Sequence, residues 1–117
     1  MKKVLVVEDD KLMRDLLETL LGLEGYLVTS AADLDGIEAL IESFEPDYVL
    51  VDINLQGQSG LKLIRQIRTN PQKKNMIIIA QSGMDEKELA LNSGADSFLL
   101  KPYESNELIR ILKENDR

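Results

Sequence analysis

VLVVEDDK, residues 4–11, runs four apolar residues of strand type straight into Glu8, Asp9 and Asp10. An apolar run without polar alternation is what a strand shows when helices cover both faces of its sheet. The carboxylates that follow need a reason. Two unit charges about 4 Å apart at an effective dielectric near 20 repel by about 4 kcal/mol. Capping the next helix is open to Asp10, and to Asp9 taken alone. Three acids in a row ask for something more.

The same pattern recurs along the chain. Strand candidates are Val4 to Val7, Tyr26 to Ser30, Tyr48 to Val51, Met76 to Gln81 and Phe98 to Leu100. Between them the apolar residues return with helical spacing. The first such set is Leu12, Leu16, Leu17, Leu20 and Leu21, and the second is Leu34, Ile37, Leu40 and Ile41. Leu61, Ile64 and Ile67 follow, then a short helix around Leu89, then Leu108, Ile109 and Leu112. Gly22 and Gly25 punctuate the first helix, Asn70-Pro71 ends the third and Gly94 the fourth. Five strand-helix units in succession predict an α/β fold, a doubly wound five-stranded parallel sheet.

Composition narrows the function. At 117 residues, with 44% hydrophobic and 30% charged, the chain is one domain, 1–117, with a core of its own. No apolar run approaches a membrane span, and the start MKKVLVVEDD turns acidic too soon for a signal peptide, so the cytoplasm is the expected compartment. Cysteine and histidine are both absent, so any metal must be held by oxygen. The net charge of -7 argues against direct nucleic-acid binding.

Open α/β sheets carry their sites at the carboxyl ends of the strands, where strand order reverses. Here the first strand ends in Glu8 and Asp9, the third in Asp52, the fourth in Ser82 and the fifth in Lys101-Pro102, whereas the second ends in the bland SAAD. A lone serine after a strand is an ordinary turn former, and a lone lysine an ordinary surface charge. Four strand ends out of five delivering chemistry to one edge is the stronger signal.

VVEDD, PDYVLVDINL, QSG and GADSFLLKPY together resemble the receiver domain of two-component response regulators over essentially the whole chain. The resemblance implies a flavodoxin-like sheet of order 2-1-3-4-5. It makes Asp52 the phosphorylated residue, with Glu8, Asp9, Asp52 and the Asn54 carbonyl as metal ligands, Ser82 as the switch hydroxyl and Lys101 as the phosphate-binding lysine. Asp10 falls just past the acidic pair, as a helix cap. Phe98 matches the aromatic residue that turns inward when the hydroxyl moves, and Asn54 and Met84 match positions that tune water access to the acyl phosphate. The implied donor is a histidine kinase or phosphotransfer protein. The implied output is a change in the face of the fourth helix, fifth strand and fifth helix, read by a downstream effector or a second copy of the chain. The domain would catalyse only its own phosphorylation and dephosphorylation.

Charge accounts for the implied cofactor. Glu8, Asp9 and Asp52 carry −3; a divalent cation and Lys101 bring the sum to zero, which fits Mg²⁺ with retained waters. An empty site should then show raised carboxylate pKa values or weakened stability.

Two departures from the family pattern stand out. The loop after Asp52 reads INLQGQSG, with Gln56 and Ser59 where proline and aspartate are common, and is expected to be looser. The segment from Ser82 to Lys101 is about one helical turn short, predicting a stubby fourth helix. Two other readings use the same residues. A haloacid dehalogenase-type phosphatase also has a strand-end Asp, Mg²⁺ and a Lys, but EDD fits its Asp-x-Asp poorly and 117 residues leave no cap domain. A receiver-like module that works without phosphate would not need the full set of acids, hydroxyl and lysine.

Overall fold

The computed structural model describes residues 1–116 of the chain. Its elements alternate as β1 (Lys3–Val7), α1 (Lys11–Leu23), β2 (Leu27–Ala31), α2 (Ile37–Phe44), β3 (Tyr48–Asp52), α3 (Gly60–Thr69), β4 (Ile77–Ser82), α4 (Lys87–Ser93), β5 (Ser97–Leu100) and α5 (Ser105–Glu114). The five strands pair in parallel in the order β2-β1-β3-β4-β5. This is the doubly wound parallel sheet expected from the strand-helix pattern, in the order 2-1-3-4-5 that the resemblance implied. Strand bounds differ from that reading by one residue at several ends, because backbone pairing, unlike apolar character, extends to Lys3, Asp52, Ser82 and Ser97.

Side chains of one strand point alternately to the two faces, and the core splits accordingly. Leu5, Val7, Val49, Val51, Ile78 and Ala80 pack with Ile37 and Ile41 of α2, Leu63, Ile64 and Ile67 of α3, and Ala90 of α4. Val4, Val6, Tyr48, Leu50, Ile79 and Leu99 pack with Leu17 and Leu21 of α1 and Leu108, Ile111 and Leu112 of α5. Each fully buried Val, Leu or Ile contributes about 1.5–3 kcal/mol relative to exposure. Every residue of central β3 is buried, while β2 at the sheet edge is not. Tyr48 ties the sheet to α5, its single hydroxyl proton shared between the Leu112 carbonyl at 3.3 Å and Asp116 Oδ1 at 3.1 Å.

The helices correct the sequence reading in three places. In α1 the inward stripe is Met13, Leu17, Leu20 and Leu21, whereas Leu12 and Leu16 are 69% and 58% exposed. Residues 12 and 16 share a stripe four apart, about 100° round from 13 and 17, and one helix cannot turn both to the sheet. Leu34 lies ahead of α2, not in it, because Gly36 takes a left-handed conformation (φ 70°) at the helix start. Gly22 is also helical; α1 runs on to Leu23, and the chain leaves it through Gly25 at φ 92°.

The short fourth helix is present, with seven residues ended by Gly94 at φ 116°. In the 53–59 loop, Asn54–Leu55 pairs antiparallel with Gln58–Ser59 around Gly57 at φ 72°. Gln56 N–H donates to Asp9 Oδ2 at 3.1 Å, and Gln58 Oε1 accepts from Leu34 N–H at 3.0 Å. The Gln56 backbone amide and the Gln58 side-chain amide thus hold the turn to its surroundings.

Candidate functional site

The strand order reverses between β1 and β3, and the polar residues gather at the carboxyl end of that junction. Glu8 leaves β1 with its N–H still bonded to the Ala31 carbonyl, 3.0 Å away. Arg14, one turn into α1, donates through Nη1 to the carbonyls of Glu8 (2.8 Å) and Asp9 (3.1 Å), fixing the acidic turn from below. Asp10 caps α1 as expected, accepting from Leu12 N–H at 2.9 Å and Met13 N–H at 3.3 Å. Asp52 ends β3, and its Oδ1 accepts from Asn54 N–H at 2.9 Å. Lys101 follows β5, and its N–H donates to the Ser82 carbonyl at 2.7 Å, which extends the ladder and aims the side chain across the sheet edge.

Lys101 Nζ then lies 2.6 Å from Glu8 Oε1 and 2.5 Å from Asp52 Oδ2. Both acids are almost fully enclosed, at 1% and 5% exposure, and buried charges of this kind call for a paired, hydrogen-bonded partner. Burial pushes the Glu8 carboxyl above its ordinary range, against the pull of the Lys101 hydrogen bond. For Lys101, burial works against the charged form, but the hydrogen bonds to Asp52 and Glu8 outweigh it and hold the ammonium above its usual value. One carboxylate oxygen from each of Glu8, Asp9 and Asp52 lies within 4.8 Å of the others. Three hard oxygen donors at that spacing, excess negative charge and a buried carboxyl already resisting ionisation fit a small divalent cation.

Ser82 stands one residue past Gln81, the register partner of Asp52. Its hydroxyl is fully engaged. Oγ donates to Glu86 Oε2 at 2.7 Å and accepts from Asn54 Nδ2–H at 3.0 Å and Met84 N–H at 3.1 Å. Asn54 Nδ2 donates to the same Glu86 oxygen at 3.0 Å. The Met84 side chain is 59% exposed. Phe98 is half-buried against the α2-α3-α4 side of the core, beside Ala80 in register and away from the acids.

Four residues that touch this constellation were not singled out from sequence. Glu86 and Arg14 carry no local signal, since each becomes relevant only when a helix start is folded against a strand end. Gln81 did leave one: it is the lone amide in the apolar run IIIAQS. It is completely buried, and its Oε1 accepts from the Tyr103 hydroxyl at 2.5 Å while Nε2 faces Glu8 Oε1 at 3.4 Å.

Comparison with known proteins agrees with the geometry. Residues 4–113 match the sequence model of the response regulator receiver domain. The chemotaxis protein CheY4 of Vibrio cholerae superposes with a TM-score of 0.90 at 26% identity, covering 99% of both chains. The signal receiver domain of a DNA-binding response regulator from Colwellia psychrerythraea gives 0.90 at 25% identity over 97% of each chain. The receiver domain of a sensor histidine kinase from Pseudomonas aeruginosa, with a magnesium ion coordinated in its active-site cleft, gives 0.84 at 30% identity, covering 97% of this chain and 95% of that one. With 110 consecutive residues matched and a sheet edge carrying two buried acids bridged by one lysine, the chain belongs to the family of response regulator receiver domains.

Proposed function

We propose that this domain is a phosphorylation-driven switch that takes a phosphoryl group onto Asp52 from a histidine kinase or phosphotransfer protein in the cytoplasm. The observation that carries this reading is the Lys101 ammonium seated between Glu8 and Asp52. It pairs with the nucleophile and aims it while both acids are enclosed.

In the transfer, a carboxylate oxygen of Asp52 forms a bond to phosphorus as the bond from phosphorus to the donor's imidazole nitrogen breaks. The electron pair leaves with the imidazole. Glu8, Asp9, Asp52 and the Asn54 carbonyl would hold Mg²⁺, which supplies charge neutralisation for an anionic donor meeting an anionic nucleophile. The carboxylate's single charge becomes roughly −2 on the acyl phosphate. Lys101 gains a stronger partner there, and Ser82 a new acceptor. Each charge-assisted contact contributes about 1.5–3 kcal/mol, and inverting a 1:99 population takes about 5.5 kcal/mol. Two or three contacts are enough. The domain thereby catalyses only its own phosphorylation and dephosphorylation.

The output follows from where Ser82 and Lys101 sit, on β4 and just after β5. Movement of the Ser82 hydroxyl alters the packing beside Phe98, and the face of α4, β5 and α5 changes with it. Leu89, Leu91 and Leu100 already expose apolar surface there, at 54%, 40% and 49%, available to an effector protein or a second copy of the chain.

Intact-mass measurement after acetyl phosphate and Mg²⁺ tests the reading. One phosphoryl group is expected, acid-stable and lost on treatment with hydroxylamine, and absent in Asp52→Asn. Full labelling of Asp52→Asn would overturn the assigned acceptor, and no labelling of the wild type the reading itself.

A further inference from the structure

A serine hydroxyl has one proton to donate and two lone pairs to accept with. In this chain all three are spent. The proton goes to Glu86 at 2.7 Å, and the lone pairs take Asn54 Nδ2–H at 3.0 Å and Met84 N–H at 3.1 Å. Ser82 therefore cannot donate to any new oxygen at the Asp52 end of the sheet until its bond to Glu86 is broken. Glu86 is itself held twice at the same oxygen, by Ser82 Oγ and by Asn54 Nδ2 at 3.0 Å.

Glu86 is also the residue from which α4 starts. Its carbonyl accepts from Ala90 N–H at 3.0 Å, and its side chain makes no capping bond to its own helix. The carboxylate is turned back toward β3 and β4 instead. The contact thus ties the start of the seven-residue fourth helix to the hydroxyl at the end of β4. It also adds a fourth carboxylate beside the edge where Glu8, Asp9 and Asp52 already gather.

We infer that Glu86 is a positioning residue that holds the domain in its unphosphorylated state by occupying the Ser82 proton and the Asn54 amide. The inference rests on the receiver reading above. An anionic group arriving on Asp52 competes with Glu86 for the same donor and meets its negative charge. When the arriving group wins, the Glu86 side chain is expelled and the start of α4 loses its tether. Loading of Asp52 and release of α4 are then one exchange of hydrogen bonds, and the affinity of the site for a phosphoryl group is set partly by how well Glu86 competes.

The test uses beryllium trifluoride as the phosphoryl analogue on the whole chain at saturating Mg²⁺, with wild type, Glu86→Ala, Glu86→Gln, Ser82→Ala and the double variant Glu86→Ala/Ser82→Ala. Glu86→Ala is expected to bind the analogue ~10-fold more tightly, because one charge-assisted bond no longer has to be broken. Glu86→Gln, neutral but still able to accept, should fall between it and the wild type. In the Ser82→Ala background the gain from Glu86→Ala should shrink to ~3-fold or less, since the shared proton is gone. A purely structural role for Glu86 would give no such dependence. In metal-free protein, the Asn54 side-chain amide and Met84 backbone amide resonances should move in Glu86→Ala, with little change in melting temperature. A wild type that loads normally while Glu86→Ala binds no more tightly overturns this inference alone, as does a gain undiminished in the Ser82→Ala background. A wild type that binds neither Mg²⁺ nor the analogue overturns the receiver reading and this inference with it.

Discussion

Lys101 Nζ sits 2.5 Å from Asp52 Oδ2, and the same ammonium holds Glu8 Oε1 at 2.6 Å. One cation therefore serves two enclosed carboxylates whose mutual repulsion it relieves. Removing one partner of a buried pair leaves an uncompensated charge, which costs about 3–5 kcal/mol. Lys101 is about a quarter exposed, so the low end applies. Lys101→Ala should lower metal-free stability by about 3 kcal/mol in urea unfolding. The Glu8 carboxyl, already raised by burial, would climb further. A group with a raised folded pKa binds more protons in the native state, so stability falls as pH increases, and the deficit should be larger at about pH 8 than at about pH 5. Mg²⁺ should return part of the loss in this variant. Equal unfolding midpoints for variant and wild type would count against the bridge.

Gly60 shows how closely α3 is packed under the acceptor. A Cβ at this position would meet the Asp52 carbonyl oxygen at 2.3 Å, the Ile53 Cα at 3.0 Å and Val51 Cγ2 at 3.0 Å; two of these are backbone and the third belongs to a buried, stiff β-branched side chain. The Gly60 N–H also donates to the Ile53 carbonyl at 2.8 Å. Gly60→Ala has no flexible side chain to push aside. Relief can come only by shifting the end of β3 or the start of α3. Overpacking of this kind costs about 1–3 kcal/mol, and here it acts on the backbone that carries Asp52. The expected outcome is a loss of about 2 kcal/mol in stability together with slower labelling by acetyl phosphate. Normal labelling with normal stability would show that the helix start can yield.

The parallel sheet and the residues at its edge were legible because each has a one-dimensional trace, whereas the strand order came from the resemblance to receiver domains. Uninterrupted apolar runs mark parallel strands, and Glu8, Asp52, Ser82 and Lys101 stand directly at their ends. Pairing fixes which strand ends are neighbours, so the cluster follows once the strands are assigned. What the sequence hides is rotation and side-chain choice. Nothing in the spacing of Leu12, Leu16 and Leu17 says which stripe meets the sheet, and nothing marks Glu86, among the four charged residues Asp85, Glu86, Lys87 and Glu88, as the one that turns back to Ser82. The 53–59 hairpin depends on Gln56 and Gln58 meeting Asp9 and Leu34 across the fold. Such contacts exist only after the core has formed.

Met84 follows Ser82 by two residues and leaves its side chain 59% exposed beside the site, while its backbone N–H supports the Ser82 hydroxyl. An apolar thioether there offers attacking water neither a donor nor a strong acceptor. A carboxylate would supply an acceptor able to orient it. Met84→Glu should therefore shorten the acyl phosphate lifetime by ~10-fold, in the range of a weak general-base contribution. The backbone bond to Ser82 is kept, so phosphorylation itself should persist. The decay of labelled protein after removal of acetyl phosphate measures the lifetime, and an unchanged half-life would dismiss a role for this position.

All three tyrosines are held above their ordinary ionisation range, by different neighbours. Burial is the main cause for each. Tyr48 also hydrogen-bonds Asp116, Tyr103 lies in the field of Glu8 and Asp52, and Tyr26 faces Asp116 and Glu24. A phenol whose folded pKa is raised stays protonated in the native state at a pH where the unfolded chain has released its proton. The unfolded state then binds fewer protons than the native one, so stability falls as pH rises above about 10, the ordinary tyrosine value, and is unaffected below it. Tyrosinate absorbance should therefore appear late and together with loss of secondary structure, as one cooperative event. Tyr48→Phe removes the most enclosed of these groups along with its bonds to Leu112 and Asp116. That variant should be about 1 kcal/mol less stable at neutral pH but lose proportionately less between about pH 10 and 12. A wild type in which all three tyrosines ionise at about pH 10 with the fold intact would contradict this.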